Sequence, residues 1–401
     1  MRINSLKIKY LFYLILSLIL AYLIIFISQN KEIWLNSWRF LKVPAMWPAF
    51  ADIDFILRSV QCKQMGHDPF VNNPCDINGT IYQYPAVWLN IFELLNIDNL
   101  HNFKIFVFIS ITFYLFCYCF IFEITKNYFN KFILILLFFS LSSLLLIERG
   151  NIDHIIFIFC LLTMVSRNYY FEATVIFFNT YLKVFPFFNF VYLFKKKFLI
   201  TFLISLIAIV IIYKVSITTY PIPNDLTNNN FLALSQAFGV ITILEGAFKI
   251  LEKKYLFNIN FETKTLVRLL FVGIFFVISI ILFFIGSKKH HNSTSNIPHN
   301  YEKLFILGSS IYVGRYIFLS NFDYSLVFLI LTVPYISRVN KVENYIYSII
   351  LVIIFNSWLF SFTPLTISHS LYTIFQFSLK MIIFGYLSFY IGKVSGNFFL
   401  N

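Results

Sequence analysis

Asp52 and Asp54 lie two residues apart, with Arg58 four residues beyond Asp54, in a chain that is otherwise strongly apolar. A carboxylate at a membrane–loop junction is partly desolvated. Its pKa then moves toward the range of a general base that takes a proton from an attacking hydroxyl. Asp54, just before Phe55, is the leading catalytic candidate, and Asp52 is its competitor. On a helix the two side chains point to different faces, on a strand to the same one. The plainer reading of either is a helix cap or a solvated acid. At this spacing Arg58 can pair with Asp54 on a helix. Such a pair orients the carboxylate but lowers its pKa, so a structural salt bridge is an equal reading.

Downstream lie Gly66-His67-Asp68-Pro69-Phe70 and Ile81-Tyr82-Gln83-Tyr84-Pro85. Proline holds its preceding residue extended, so His67, Asp68, Tyr82 and Tyr84 read as turn-formers or as an aromatic and acidic sugar-contacting surface. A second cluster, Glu148-Arg149-Gly150-Asn151-Ile152-Asp153-His154, joins two apolar runs. Arg149 can grip a phosphate with two parallel hydrogen bonds. Asn151 suits a helix cap, with Asp153 in the first turn. Lys183, in Tyr181-Leu182-Lys183-Val184-Phe185-Pro186, sits between two short apolar stretches. It either neutralises an anion there or snorkels to the interface. Arg315 and Asn321-Phe322-Asp323-Tyr324 add a weaker candidate phosphate or sugar site. His290, His291 and His299 read as solvated loop rather than metal ligands. Motifs for a P-loop, a serine-nucleophile elbow, an H-E-x-x-H zinc site or clustered cysteine ligands are absent from the sequence.

These residues must be positioned by a membrane scaffold. Of 401 residues 59% are hydrophobic and 12% charged, with mean hydropathy +0.78; a soluble domain carries about 25% charged residues. The net charge of +13 does not gather into one basic patch, so nucleic acid is not an expected partner. Apolar spans are expected near 10–28, 103–123, 132–146, 154–166, 198–213, 265–286, 304–318, 324–337, 343–361 and 371–391. A short helical hairpin is expected at 172–194, within one integral membrane domain. If the N-terminus is cytoplasmic, Arg2, Lys7, Lys9, Lys126, Lys131, Arg167, Lys195–Lys197, Lys288, Lys289, Lys303, Arg338, Lys341 and Lys393 fall on that side, as positive-inside placement requires. Two long loops, 29–102 and 214–264, then lie outside, the second with a surface helix at 231–251. Cys62 and Cys75 share the first loop, as a disulfide or as two free thiols.

Asp54-Phe55, Gly66-x-Asp68-Pro69-Phe70, Tyr84-Pro85, Arg149-Gly150-Asn151 and Lys183-x-x-Pro186 together resemble the GT-C glycosyltransferases, most closely glycosyltransferase family 87. Phe70 stands where that family usually has Tyr, and Ala86 where it has a second Pro. The resemblance covers roughly residues 50–197. It implies an all-α polytopic bundle of about ten to twelve transmembrane helices with a large first extracytoplasmic loop. It also implies transfer of a hexose, mannose above all, from a polyprenyl-phosphate donor to a glycolipid or glycan acceptor, with inversion. Asp54 or Asp52 would be the base. Arg149, Lys183 and Arg315 would bind the donor phosphate, and Arg58, His67, Asp68, Tyr82, Tyr84, Asn151 and Asp153 the substrate. No metal or cofactor is implied; membrane lipids are the surroundings, and a bacterial inner membrane with the site facing the periplasm is the expected location. A lipid-linked glycan polymerase or ligase, a polytopic transporter and a flippase subunit share the topology. Acceptor identity, substrate movement and tolerance of losing Asp54 distinguish them.

Overall fold

The computed structural model describes residues 2–77, 79–194, 196–219, 237–255, 260–289, 297–318, 321–357 and 367–396. Their regular structure is helical apart from a two-residue antiparallel bridge, Ala237–Phe238 with Asn321–Phe322. The chain is an all-α, multi-pass membrane protein. Among the described residues four helices are long and apolar enough to span a bilayer: Ile8–Ile27, Leu100–Ile124, Glu262–Lys288 and Tyr372–Ser395. Tyr128–Phe138 with Leu141–Arg149 is a fifth if counted as one broken span. The 25 residues of Leu100–Ile124 reach about 37 Å, more than the ~30 Å hydrocarbon core.

Of the other expected spans, two are the shorter helices Asp153–Val165 and Asp323–Ile336, while the run expected at 198–213 lies in the 22-residue helix Phe198–Thr219. An apolar run does not reveal whether lipid or protein will cover it. Within His299–Phe318, for example, every residue from Leu304 to Ile317 is buried in protein. Contacts divide the chain into two compact units, each drawn from separated segments.

The first unit comprises Met1–Thr125, Leu144–Phe187 and Leu199–Pro223. Its helix α1 (Arg2–Ile27) packs on α5 (Leu100–Ile124), where Glu123 receives Lys9 at 3.1 Å and the Tyr13 hydroxyl at 2.8 Å. The segment expected as a long loop carries three helices: α2 (Lys31–Phe40), α3 (Ala51–Gln64) and α4 (Val87–Leu94). Asn30 caps α2 by accepting the Glu32 and Ile33 amides. Trp34 and Trp38 bury one face of α2, and the Trp34 indole donates to Met46 O at 3.0 Å. Helix α3 buries Ile53, Ile56, Leu57 and Val60 and is tied to the following segment by Gln61 on Asp98 O at 2.8 Å. Here α7 is Leu141–Arg149, α8 Asp153–Val165 and α9 Tyr169–Leu182. Helix α8 packs on both α5 and α9.

The second unit comprises Lys126–Ser143, Phe188–Phe198 and Asn224–Asn401. Helices Phe261–Lys288 and Ile367–Ser395 approach closely at glycines. A Cβ on Gly286 would fall 2.0 Å from Phe389 O, and one on Gly392 2.0 Å from Phe283 O. Small residues commonly permit such backbone approach in membranes. The opposite side of Phe261–Lys288 exposes Leu266, Leu269, Phe276 and Ile281, as a lipid-facing surface does. Of the second expected loop, 220–236 and 256–259 lie outside the described residues. Its surface helix is Val240–Tyr255, pinned by Glu245 to Arg268 and by Glu252 to Lys264.

Candidate functional site

Two left-handed backbone positions bring the polar segments of the first unit together. Phe50 enters α3 at φ +59, and Gly150, in the turn between α7 and α8, has φ +58. A Cβ on Gly150 would lie 2.9 Å from Phe50 Cβ, so only glycine allows both the turn and the approach. Asp52, in the first turn of α3, therefore meets Asn151, whose amide donates to its carboxylate. The Asn151 side-chain oxygen accepts the Asp153 amide at 2.9 Å, capping α8, and faces Lys183 Nζ at 3.4 Å. Lys183 closes the chain by pairing with the fully buried Asp153 carboxylate. One continuous polar network thus links α3, the Gly150 turn, α8 and the end of α9.

Lys183 is held there by the backbone. Helix α9 ends at Leu182, and Lys183 is extended, with φ −160° and ψ 134°. The Trp88 indole in α4 donates to Leu182 O at 2.8 Å. Arg149 lies beside Glu148, Nε to Oε2 at 3.1 Å, and its Nη2 reaches Pro44 O at 3.5 Å. Glu148 is fully buried and accepts the Met46 amide at 2.7 Å.

Asp52 is half-buried. The protein packed around its carboxyl pushes its pKa above the usual value, against the pull of Arg149, the Asn151 amide and Lys183. Asp54 faces elsewhere. Two residues along a helix turn its side chain by about 200°, and its buried carboxylate pairs with Arg58 Nε at 2.6 Å. Burial raises Asp54 too, while the Arg58 hydrogen bond and charge oppose the shift.

An aromatic cluster borders the network. Phe55 stacks on Tyr82 at 5.7 Å and lies 6.2 Å from Tyr84, and Phe70 meets Tyr82 edge-on at 5.1 Å. Tyr82 is buried, whereas Tyr84 is half-buried, with Lys183 Nζ 5.8 Å from its ring centroid. His67 and Asp68 are exposed. Asp68 shapes the turn, its carboxylate accepting the Phe70 amide at 3.0 Å and its carbonyl the Asn72 amide at 2.8 Å.

The structure thus gathers Asp52, Asn151, Asp153 and Lys183, with Arg149 acting on Asp52 through its charge and Tyr84 alongside. Asp54 and Arg58 form a separate pair on α3. Arg315 belongs to the second unit, where it is buried, as is Asp323, whose carboxylate pairs with Lys380 at 2.7 Å. Sequence reasoning assigned no role to Phe50, Trp88 or Lys380. Lys380 alone carried a signal, an ionisable residue inside an apolar run; the other two act through backbone geometry and a backbone carbonyl. Among the described residues no group of three or more His, Cys, Asp or Glu side chains is placed to hold a metal ion. Chemically, the network offers a half-buried residue whose carboxyl has a raised pKa beside two cations. No family model, curated protein or solved structure matches the chain.

Proposed function

We propose that this protein is a GT-C-type membrane glycosyltransferase of ten to twelve transmembrane helices. It moves a hexose, mannose by the resemblance, from a polyprenyl-phosphate donor to a glycolipid or glycan acceptor. The site faces the periplasmic side of a bacterial inner membrane. The observation that carries the reading is the convergence of Asp52, Asn151 and Lys183, with Arg149 alongside, from segments far apart in sequence.

In this reading Asp52 is the general base. Its raised pKa suits proton acceptance from an acceptor hydroxyl, and a role for Asp54 is weakened by its engagement with Arg58. As the hydroxyl oxygen bonds to the anomeric carbon, the bond from that carbon to the phosphate breaks and polyprenyl phosphate leaves. Arg149 and Lys183 stabilise the negative charge that develops on it. Asn151 fixes the Asp52 carboxylate, and Asp153 fixes Lys183. Tyr84 offers a ring face for the sugar.

Purified protein in lipid should transfer label from a radiolabelled polyprenyl-phosphate hexose to an extractable membrane acceptor, and Arg149→Ala should weaken donor binding as well as rate. Absence of transfer with every polyprenyl-phosphate hexose tried would reject the reading. Retained transfer by Arg149→Ala with unchanged donor affinity would remove Arg149 from the phosphate site.

A further inference from the structure

Cys62 and Cys75 have no part in the network around Asp52. Cys62 lies on the buried face of α3 and is fully buried; Cys75 is half-buried in the segment after it, and both are thiols. That segment is already fastened to α3 next to Cys62. Asn73, itself fully buried, donates to Ser59 Oγ at 3.0 Å and to Thr80 O at 3.1 Å. Ser59 and Cys62 are one turn apart on the same helical face. Cys62 O accepts the His67 amide at 3.1 Å, and Asn73 O the Asp76 amide at 3.2 Å, so the backbone is held on both sides of the pair. The Cys75 thiol lies against the Cys62 sulfur. Burial, followed by that contact, pushes it up to about 11.

We infer that Cys62 and Cys75 form a disulfide when the segment following α3 meets an oxidising compartment. The bridge staples to α3 the stretch that leads on to Tyr82 and Tyr84. Ordering costs little because Asn73 already fastens the segment that carries Cys75 to α3 one turn from Cys62. Joining two thiols is a two-electron oxidation, so the pair needs a disulfide oxidant, such as a periplasmic thiol oxidase or oxidised glutathione. Cys75, the more accessible sulfur, attacks the oxidant's disulfide as thiolate and forms a mixed disulfide, releasing one oxidant thiol. Cys62 then attacks Cys75 Sγ and displaces the second. Two protons and two electrons pass from the cysteines to the oxidant, which ends as two thiols. The inference rests on the outward orientation proposed above and is independent of the transfer chemistry.

The test is acid trapping of the full-length protein in intact membranes, denaturation, and labelling with a maleimide–polyethylene glycol before and after reduction. Before reduction every cysteine except Cys62 and Cys75 should be labelled, and after it all five; a non-reduced digest should contain the linked Cys62–Cys75 peptide. Cys62→Ser and Cys75→Ser should each remove the reduction-dependent labelling. Labelling of all five cysteines without reductant, or a link involving Cys117, Cys119 or Cys160, overturns the inference. If the thiols are free in membranes, oxidised glutathione added to the purified protein shows which premise failed. Closure then faults the orientation, and no closure faults the contact. Neither result bears on sugar transfer.

Discussion

Replacing Lys183 with Met keeps the length of the side chain and removes the ammonium facing Asp153. The Asp153 side chain is fully buried, and that of Lys183 is 18% exposed, so the carboxylate left behind has little water to replace its partner. Breaking a buried pair from one side costs about 3–5 kcal/mol. Adding Asp153→Asn removes the stranded charge and should recover most of that loss. The two substitutions therefore separate stability from function. In a denaturant titration in detergent, Lys183→Met should be the least stable variant and the double variant should approach wild type. In the transfer assay both should lose the charge-assisted phosphate contact. That contact is worth about 1.5–3 kcal/mol, or roughly a 10–100-fold rise in donor KM. A loss below about 1 kcal/mol in the single variant, or no recovery in the double, would refute the buried-pair reasoning. Wild-type donor KM in the stable double variant would remove Lys183 from the donor site.

Gly150→Ala combines a left-handed backbone cost of about 1–2 kcal/mol with crowding against Phe50; the same titration should show a loss of at least that size, with transfer falling as α3 is displaced. Because the carboxyl of Asp52 is raised and the base must be ionised, transfer should fall as pH drops through its folded pKa. The acid limb should lie above the ordinary carboxylate value of about 4, and Asp52→Asn should abolish it. Arg58→Met should push Asp54 higher still and lower stability by about 1 kcal/mol. Asp54→Asn should then restore that stability with transfer largely kept, whereas a hundredfold loss of transfer in Asp54→Asn alone would return the catalytic role to Asp54.

The membrane class was readable because the spans of α1, α5 and the two glycine-contacting helices are continuous apolar runs. Hydropathy does not separate a run covered by lipid from one covered by protein, as Leu304 to Ile317 of His299–Phe318 are. The polar constellations were visible as charge in an apolar chain, and Asn151 behaves as the cap its position suggested. Which aspartate meets it depended on the phase of α3, which spacing alone left open between helix and strand. Nor could the sequence show that the segment expected as a loop folds into α2, α3 and α4. Asn30 and its capping of α2 were there to be read, but the long apolar neighbours dominate any hydropathy window. The Trp88–Leu182 and Phe50–Gly150 contacts depend on backbone placement and left no trace in residue type.

The most direct measurement compares Asp52→Asn with wild type in transfer from a polyprenyl-phosphate hexose, with donor binding followed separately. The change is nearly isosteric, and Asn can still meet Asn151, so folding and donor binding should persist. Turnover should fall by about 10²–10⁴, the usual worth of a general base. Near wild-type turnover in a folded Asp52→Asn protein would contradict the account.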